Sequence, residues 1–176
     1  VRGGVLANRG EVDVDGNETI LITSTSTDQY AVSKLTFIVN ATMAGNVVDL
    51  TPPYTSDASG YDPDASGLAY QTTASFVSED VRISDLAWSV SFVGTNDGDY
   101  ILEGREKAEI TVWLQQEDTS NSHWELGTDT SDPFIDAASD LLQQKTEFTV
   151  QLDTGGGVVS ISRTTPIAMD AVMNLN

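Results

Sequence analysis

Phe148, Val150 and Leu152 alternate with Glu147, Thr149 and Gln151, and this two-residue period dictates an extended segment with one apolar and one polar face. Gly155, Gly156 and Gly157 follow and give the backbone the freedom to reverse. Val159 and Ile161 then alternate with Ser160 and Ser162, so the stretch predicts a β-hairpin. Thr164-Thr165-Pro166 ends the second strand, because proline has no amide proton to give to a ladder. A short apolar tail runs from Ile167 to Leu175.

The same period recurs upstream. TILIT at 19–23 and KLTFIVN at 34–40 are rich in β-branched and aromatic residues, with Leu35, Phe37 and Val39 on one face. Strand character returns at Ser75-Phe76-Val77, at Val81-Arg82-Ile83 and in LAWSVSFV, where Trp88, Val90 and Phe92 share a face. In KAEITVWL, Ala108, Ile110, Val112 and Leu114 alternate with Lys107, Glu109, Thr111 and Trp113, which directs Trp113 outward. Pro52, Pro53, Gly60, Pro63 and Gly67 among Ser and Asp mark 51–71 as a long surface excursion, and Glu117 to Asp132 reads as polar loop. Asp132-Pro133 opens a short helix with Ile135, Ala138 and Leu142 on one side. The expectation is an all-β fold, an antiparallel β-sandwich of immunoglobulin-like or barrel-like form, with long loops and at most one short helix. A chain of 176 residues suits a single domain over 1–176.

Twenty-seven acidic against 8 basic residues give a net charge of -19, which argues against nucleic acid or an anionic membrane as partner. Exposed carboxylates at this density repel, and salt or bound cations relieve the repulsion, so a saline setting fits. The absence of cysteine excludes a disulfide scaffold, a thiolate metal site and a cysteine nucleophile. No apolar run reaches the roughly 20 residues of a membrane helix, and VRGGVLANRG lacks the apolar core of a secretion signal.

EGREKAEITVWL at 103–114, EFTVQL at 147–152, VVSISRTTP at 158–166 behind the triple glycine, and the ending MDAVMNLN resemble, in that order, the C-terminal part of archaellins, the archaeal flagellins. VSKLTFIVN followed by GNVVDLTP at 45–52 is similar to their first conserved strand region. Arg163-Thr164-Thr165-Pro166 together with Asp170 to Leu175 is the most specific part, while 53–80 and 115–144 have no counterpart. The resemblance implies the outer β-domain of an extracellular filament subunit, which self-assembles with other copies into the helical archaellum for swimming motility. Family members carry this domain on an N-terminal hydrophobic helix that is not in the sequence, so the chain is expected to be the outer domain, without membrane contact of its own. The alternative from another class is a cell-surface β-sandwich binding module, an adhesin or surface-layer-associated domain that recognises a glycan or protein through its loops. A calcium-dependent hydrolase is a third reading.

Few residues offer chemistry. Asn17-Glu18-Thr19 and Asn40-Ala41-Thr42 fit the N-glycosylation acceptor pattern, and the resemblance implies a glycosylated surface protein. Asn40 falls on the face opposite Leu35, Phe37 and Val39, which makes it accessible. Asp97 and Asp99, with Glu103 nearby, are candidate ligands for a divalent cation, calcium first, because alternate Asp residues in a glycine-containing turn converge oxygens. The same segment also reads as a solvated hairpin turn. Asp13, Asp15 and Asn17 are a weaker version, read mainly as a turn. The sole histidine, His123, reads as an ordinary surface residue between Ser122 and Trp124, without a nucleophile to activate. Acidic residues are too many for any pair to single out a glycosidase dyad, and a strand follows the triple glycine where a phosphate loop would need a helix. The expectation is therefore a non-enzymatic, structural protein.

Overall fold

The computed structural model describes residues 4–23, 27–41, 47–57, 59–79, 81–129 and 131–175. The strands in chain order are β1 (Val5–Asp13), β2 (Gln29–Asn40), β3 (Val48–Asp49), β4 (Tyr54–Thr55), β5 (Tyr61–Asp62), β6 (Asp64–Ala65), β7 (Thr73–Ser78) and β8 (Arg82–Ile83). They continue as β9 (Trp88–Phe92), β10 (Ile101–Leu102), β11 (Lys107–Trp113), β12 (Gln116–Asp118), β13 (His123–Glu125), β14 (Glu147–Asp153), β15 (Val158–Thr164) and β16 (Val172–Leu175).

The larger sheet runs β5-β12-β13-β1-β2-β11-β9, with β16 also paired to β1. The second runs β15-β14-β7-β8, and two short ribbons, β10-β3 and β4-β6, complete the set. Apolar residues of the two sheets, such as Ile110 and Val112 of β11 and Phe148, Val150 and Leu152 of β14, lie in one buried cluster. The expected all-β, sandwich-like fold is what forms, and the described residues close no barrel.

Local structure follows the alternation where it is regular. In β14 the apolar positions 148, 150 and 152 are buried and the polar ones face outward, and β15 pairs with it from Val158 opposite Asp153 to Thr164 opposite Glu147. The hairpin turn uses Gly155 at φ +71. In β2 the buried set Leu35, Phe37 and Val39 is the expected one.

Elsewhere tertiary structure overrides the pattern. TILIT is not a strand, because its backbone is drawn into a loop in which the Leu21 amide donates to Asp28 Oδ2 at 2.8 Å. Leu21 is left 61% exposed. The helix expected after Asp132-Pro133 shrinks to one 3-10 turn, Ala138–Asp140. The excursion at 51–71 is pinned by the β4-β6 ribbon and by β5 against β12, with Pro52, Pro53 and Asp62 buried. The apolar tail ends in β16, where Val5 of β1 faces Leu175.

β1 holds the architecture together. One of its edges pairs with β2. The other is divided, with Val5–Asn8 on β16 and Val12–Asp13 on β13 in parallel. A register shift between Asn8 and Arg9 moves the buried positions from 5 and 7 to 10 and 12.

Candidate functional site

The segment expected to be polar loop, 117–132, contains the hairpin β12-β13, with Asp118 opposite His123. Asp118 builds its turn. Its Oδ1 accepts from the amides of Ser120 at 2.8 Å and Asn121 at 3.1 Å, and its Oδ2 accepts from Asn121 Nδ2 at 2.7 Å. Alternation along β13 sets His123 and Glu125 on one face and Trp124 on the other.

Trp124 reaches inward. Its ring lies 6.2 Å from that of Trp113, and Lys34 sits over both rings while pairing with Glu117 at 3.5 Å. Trp113 is therefore buried, at 2% exposure, and not outward-facing, because the Lys34 stem and Trp124 cover its face of the sheet.

His123 is likewise no surface residue. Its side chain is 1% exposed, and its strand lies between β12 and β1. Three carboxylates from three strands face its Nε2: Glu125 Oε1 at 3.3 Å, Asp118 Oδ2 at 3.9 Å and Asp13 Oδ2 at 4.0 Å. Burial pushes the Asp118 carboxyl upward, but the Asn121 side chain, the Asn121 and Ser120 amides and His123 outweigh it and hold the group below its ordinary value. Burial acts on Asp13 in the same sense, and the amides of Glu18, Gly16 and Asp15 with His123 reverse it.

Asp13 also anchors the loop after β1. Its Oδ1 accepts from Gly16 at 2.8 Å and Asp15 at 3.2 Å, and its Oδ2 accepts from Glu18 at 2.8 Å. Asp28 holds the same loop from the other side through Val14 and Leu21. Two further carboxylate groups gather nearby in sequence or space: Asp13, Asp15 and Asp28 lie within 4.8 Å of one another, as do Asp57, Asp62 and Asp64. Among the described residues no Lys or Arg forms an ion pair with any of these six.

Asp97, Asp99 and Glu103 are all exposed and do not form such a group. Asp99 Oδ1 accepts from the Ile101 amide at 2.8 Å, and Asp97 Oδ1 accepts from the Asp99 amide at 3.4 Å. Asp97 and Glu103 line an open depression that also holds Arg105 and Lys107, two cations that oppose a bound metal ion. The arrangement does not fit a calcium cage, which needs six or more oxygens converging on one point.

Of the two acceptor asparagines, Asn17 is exposed, and its Oδ1 accepts from the Thr19 amide at 2.8 Å. Asn40 is half-buried rather than accessible, because it ends β2 opposite Lys107, and its Oδ1 is enclosed without a partner among the described residues. Thr42, the third residue of its pattern, lies outside the described residues.

The residues of the most specific sequence match make a structural joint. Arg163 Nε donates to the Leu175 carbonyl at 3.0 Å, Arg9 Nη1 to the Met169 carbonyl at 2.9 Å, and the Arg9 amide to Ala171 at 3.0 Å. Thr165 is buried and accepts from the Thr146 amide at 2.9 Å. No family model, curated protein or solved structure matches the chain.

Proposed function

We propose that this chain is the outer, surface-exposed domain of an extracellular filament subunit of the archaellum type. The observation that carries the reading is the antiparallel pairing of β1 with β16, from Val5 opposite Leu175 to Asn8 opposite Val172. A domain mounted on a filament core through a segment ahead of its first strand needs that strand locked into its body. Here β1 is fastened on both edges, the Arg163 side chain holds the last strand at Leu175, and the Arg9 side chain holds Met169 just ahead of it.

The surface supports the same reading. A charge of -19 keeps such a domain dispersed and hydrated in salt. Assembly is with other copies in a head-to-tail helical array, which serves swimming motility, and Asn17 is the acceptor best placed for a glycan.

Electron microscopy of material isolated from its native source, with N-terminal sequencing of that material, tests the proposal. Filaments of uniform diameter whose subunit continues upstream of Val1 into an apolar helix are the expected result. Monodisperse particles beginning at Val1 would overturn it and favour a free-standing surface-binding module.

A further inference from the structure

We propose that Asp118, His123 and Glu125, with Asp13 facing the same nitrogen, form a mixed nitrogen–oxygen site for a divalent transition metal of the zinc class. The two neighbouring groups contain carboxylates alone, and their oxygens take hydrogen bonds from surrounding amides and hydroxyls. This third group differs because it contains a buried imidazole.

The distances around that imidazole carry the inference. Charge-assisted N–H···O contacts run at about 2.7–2.9 Å, and none of the three carboxylates comes that close to Nε2. A polar side chain only 1% exposed is thus aimed at three oxygens, and its one hydrogen bond, to Glu125 Oε1, is long at 3.3 Å. The 3.3 Å separation from Glu125 matches the spacing of ligands that share an ion, and the 3.9 Å separation from Asp118 is a few tenths of an ångström longer. With metal–ligand bonds of about 2.0–2.2 Å in tetrahedral geometry, neighbouring ligand atoms stand roughly 3.3–3.6 Å apart.

The donors are also held as ligands are held. Asp118 is oriented by Asn121 and Ser120, and Asp13 by the amides of 15, 16 and 18. Glu125, 31% exposed, opens the group to solvent and gives an ion its way in. Two carboxylates with side chains at most 1% exposed lie here with no Lys or Arg paired to them among the described residues, held by amide and side-chain hydrogen bonds that leave them as anions available to a cation. One imidazole among carboxylates selects zinc-like ions over calcium, which takes oxygen alone. The bound ion ties β12 to β13 beside Asp13 of β1.

The histidine is unique in the chain, so its ring nitrogens give a single NMR spin system. Zinc chloride is titrated into the metal-stripped protein while those signals are followed, with calcium chloride in a parallel titration. Saturation at one zinc per chain with movement of the His123 resonances is expected. Glu125→Gln at the rim should weaken zinc binding about tenfold or more, His123→Asn should abolish it, and Asp97→Asn should change nothing. Absence of saturable zinc binding, saturation with the imidazole signals unmoved, or full affinity in Glu125→Gln overturns the site. The Glu125 variant decides the matter even if His123→Asn does not fold. Neither titration depends on filament formation.

Discussion

Gly10 lies against the indole of Trp124 so closely that a Cβ at position 10 would stand 2.4 Å from Trp124 Cδ1 and 2.2 Å from Ser33 Oγ. The Ser33 hydroxyl can turn away, but the ring is wedged against Trp113. Gly10→Ala should therefore destabilise the protein by about 1–3 kcal/mol through overpacking. Denaturant unfolding measures it. Because Trp124 shares β13 with His123 and Glu125, the substitution should also perturb the His123 NMR signals, and an unchanged spectrum would count against the wedge.

Phe76 and Phe148 stack with ring centroids 6.0 Å apart, both at most 1% exposed. Replacing Phe148 by Ala should cost about 3–5 kcal/mol. A double-mutant cycle with Phe76→Ala should return a coupling of about 0.5–1.5 kcal/mol. Strict additivity would show that the rings do not support each other.

Those aromatic positions were legible in the sequence, whereas the site was not. Positions 148, 150 and 152 keep a strict alternation, and their register survives into the fold. β1 carries no legible period because its shift at Asn8 and Arg9 swaps the buried face halfway along. β12 and β13 carry no strand signal because Gln116-Glu117-Asp118 and His123-Trp124-Glu125 are mostly polar, and polarity between turn residues reads as loop. Asp13 meets His123 only through the parallel pairing of β1 with β13, a contact 110 residues apart that no local spacing encodes. Asp97, Asp99 and Glu103 were the visible pattern, yet their oxygens serve the turn's own amides or share space with Arg105 and Lys107.

Asp132 accepts from both the amide and the hydroxyl of Thr128, at 2.7 and 2.6 Å. The Thr128 hydroxyl and amide hold this carboxyl below the ordinary aspartate value of 3.8, against a smaller upward push from burial. The folded state thus releases the proton more readily than the unfolded chain does. The stability gained is complete above that value and disappears as pH falls below it. Asp132→Asn should cost about 1 kcal/mol at neutral pH, and the gap to the native protein should close on acidification. Unfolding curves at neutral and acid pH check it, and a gap that widens in acid would refute the assignment.

Asn17 is exposed, whereas Asn40 is half-buried with its Oδ1 enclosed. Glycopeptide mass spectrometry of natively expressed protein should find a glycan on Asn17 and none on Asn40. Modification of Asn40 alone would mean that β2 frays at its end during processing, contrary to the pairing of Asn40 with Lys107.

The divided edge of β1 has a mechanical meaning. A load entering at Val5 and resisted by the rest of the domain runs along the strand axis, across ladders to β2 on one side and to β16 and β13 on the other. Those hydrogen bonds are strained together in shear, not opened one after another as in a peeled hairpin. Such a strand yields abruptly and at high force, so a pull on the N-terminal end of the domain is met by the whole sheet at once.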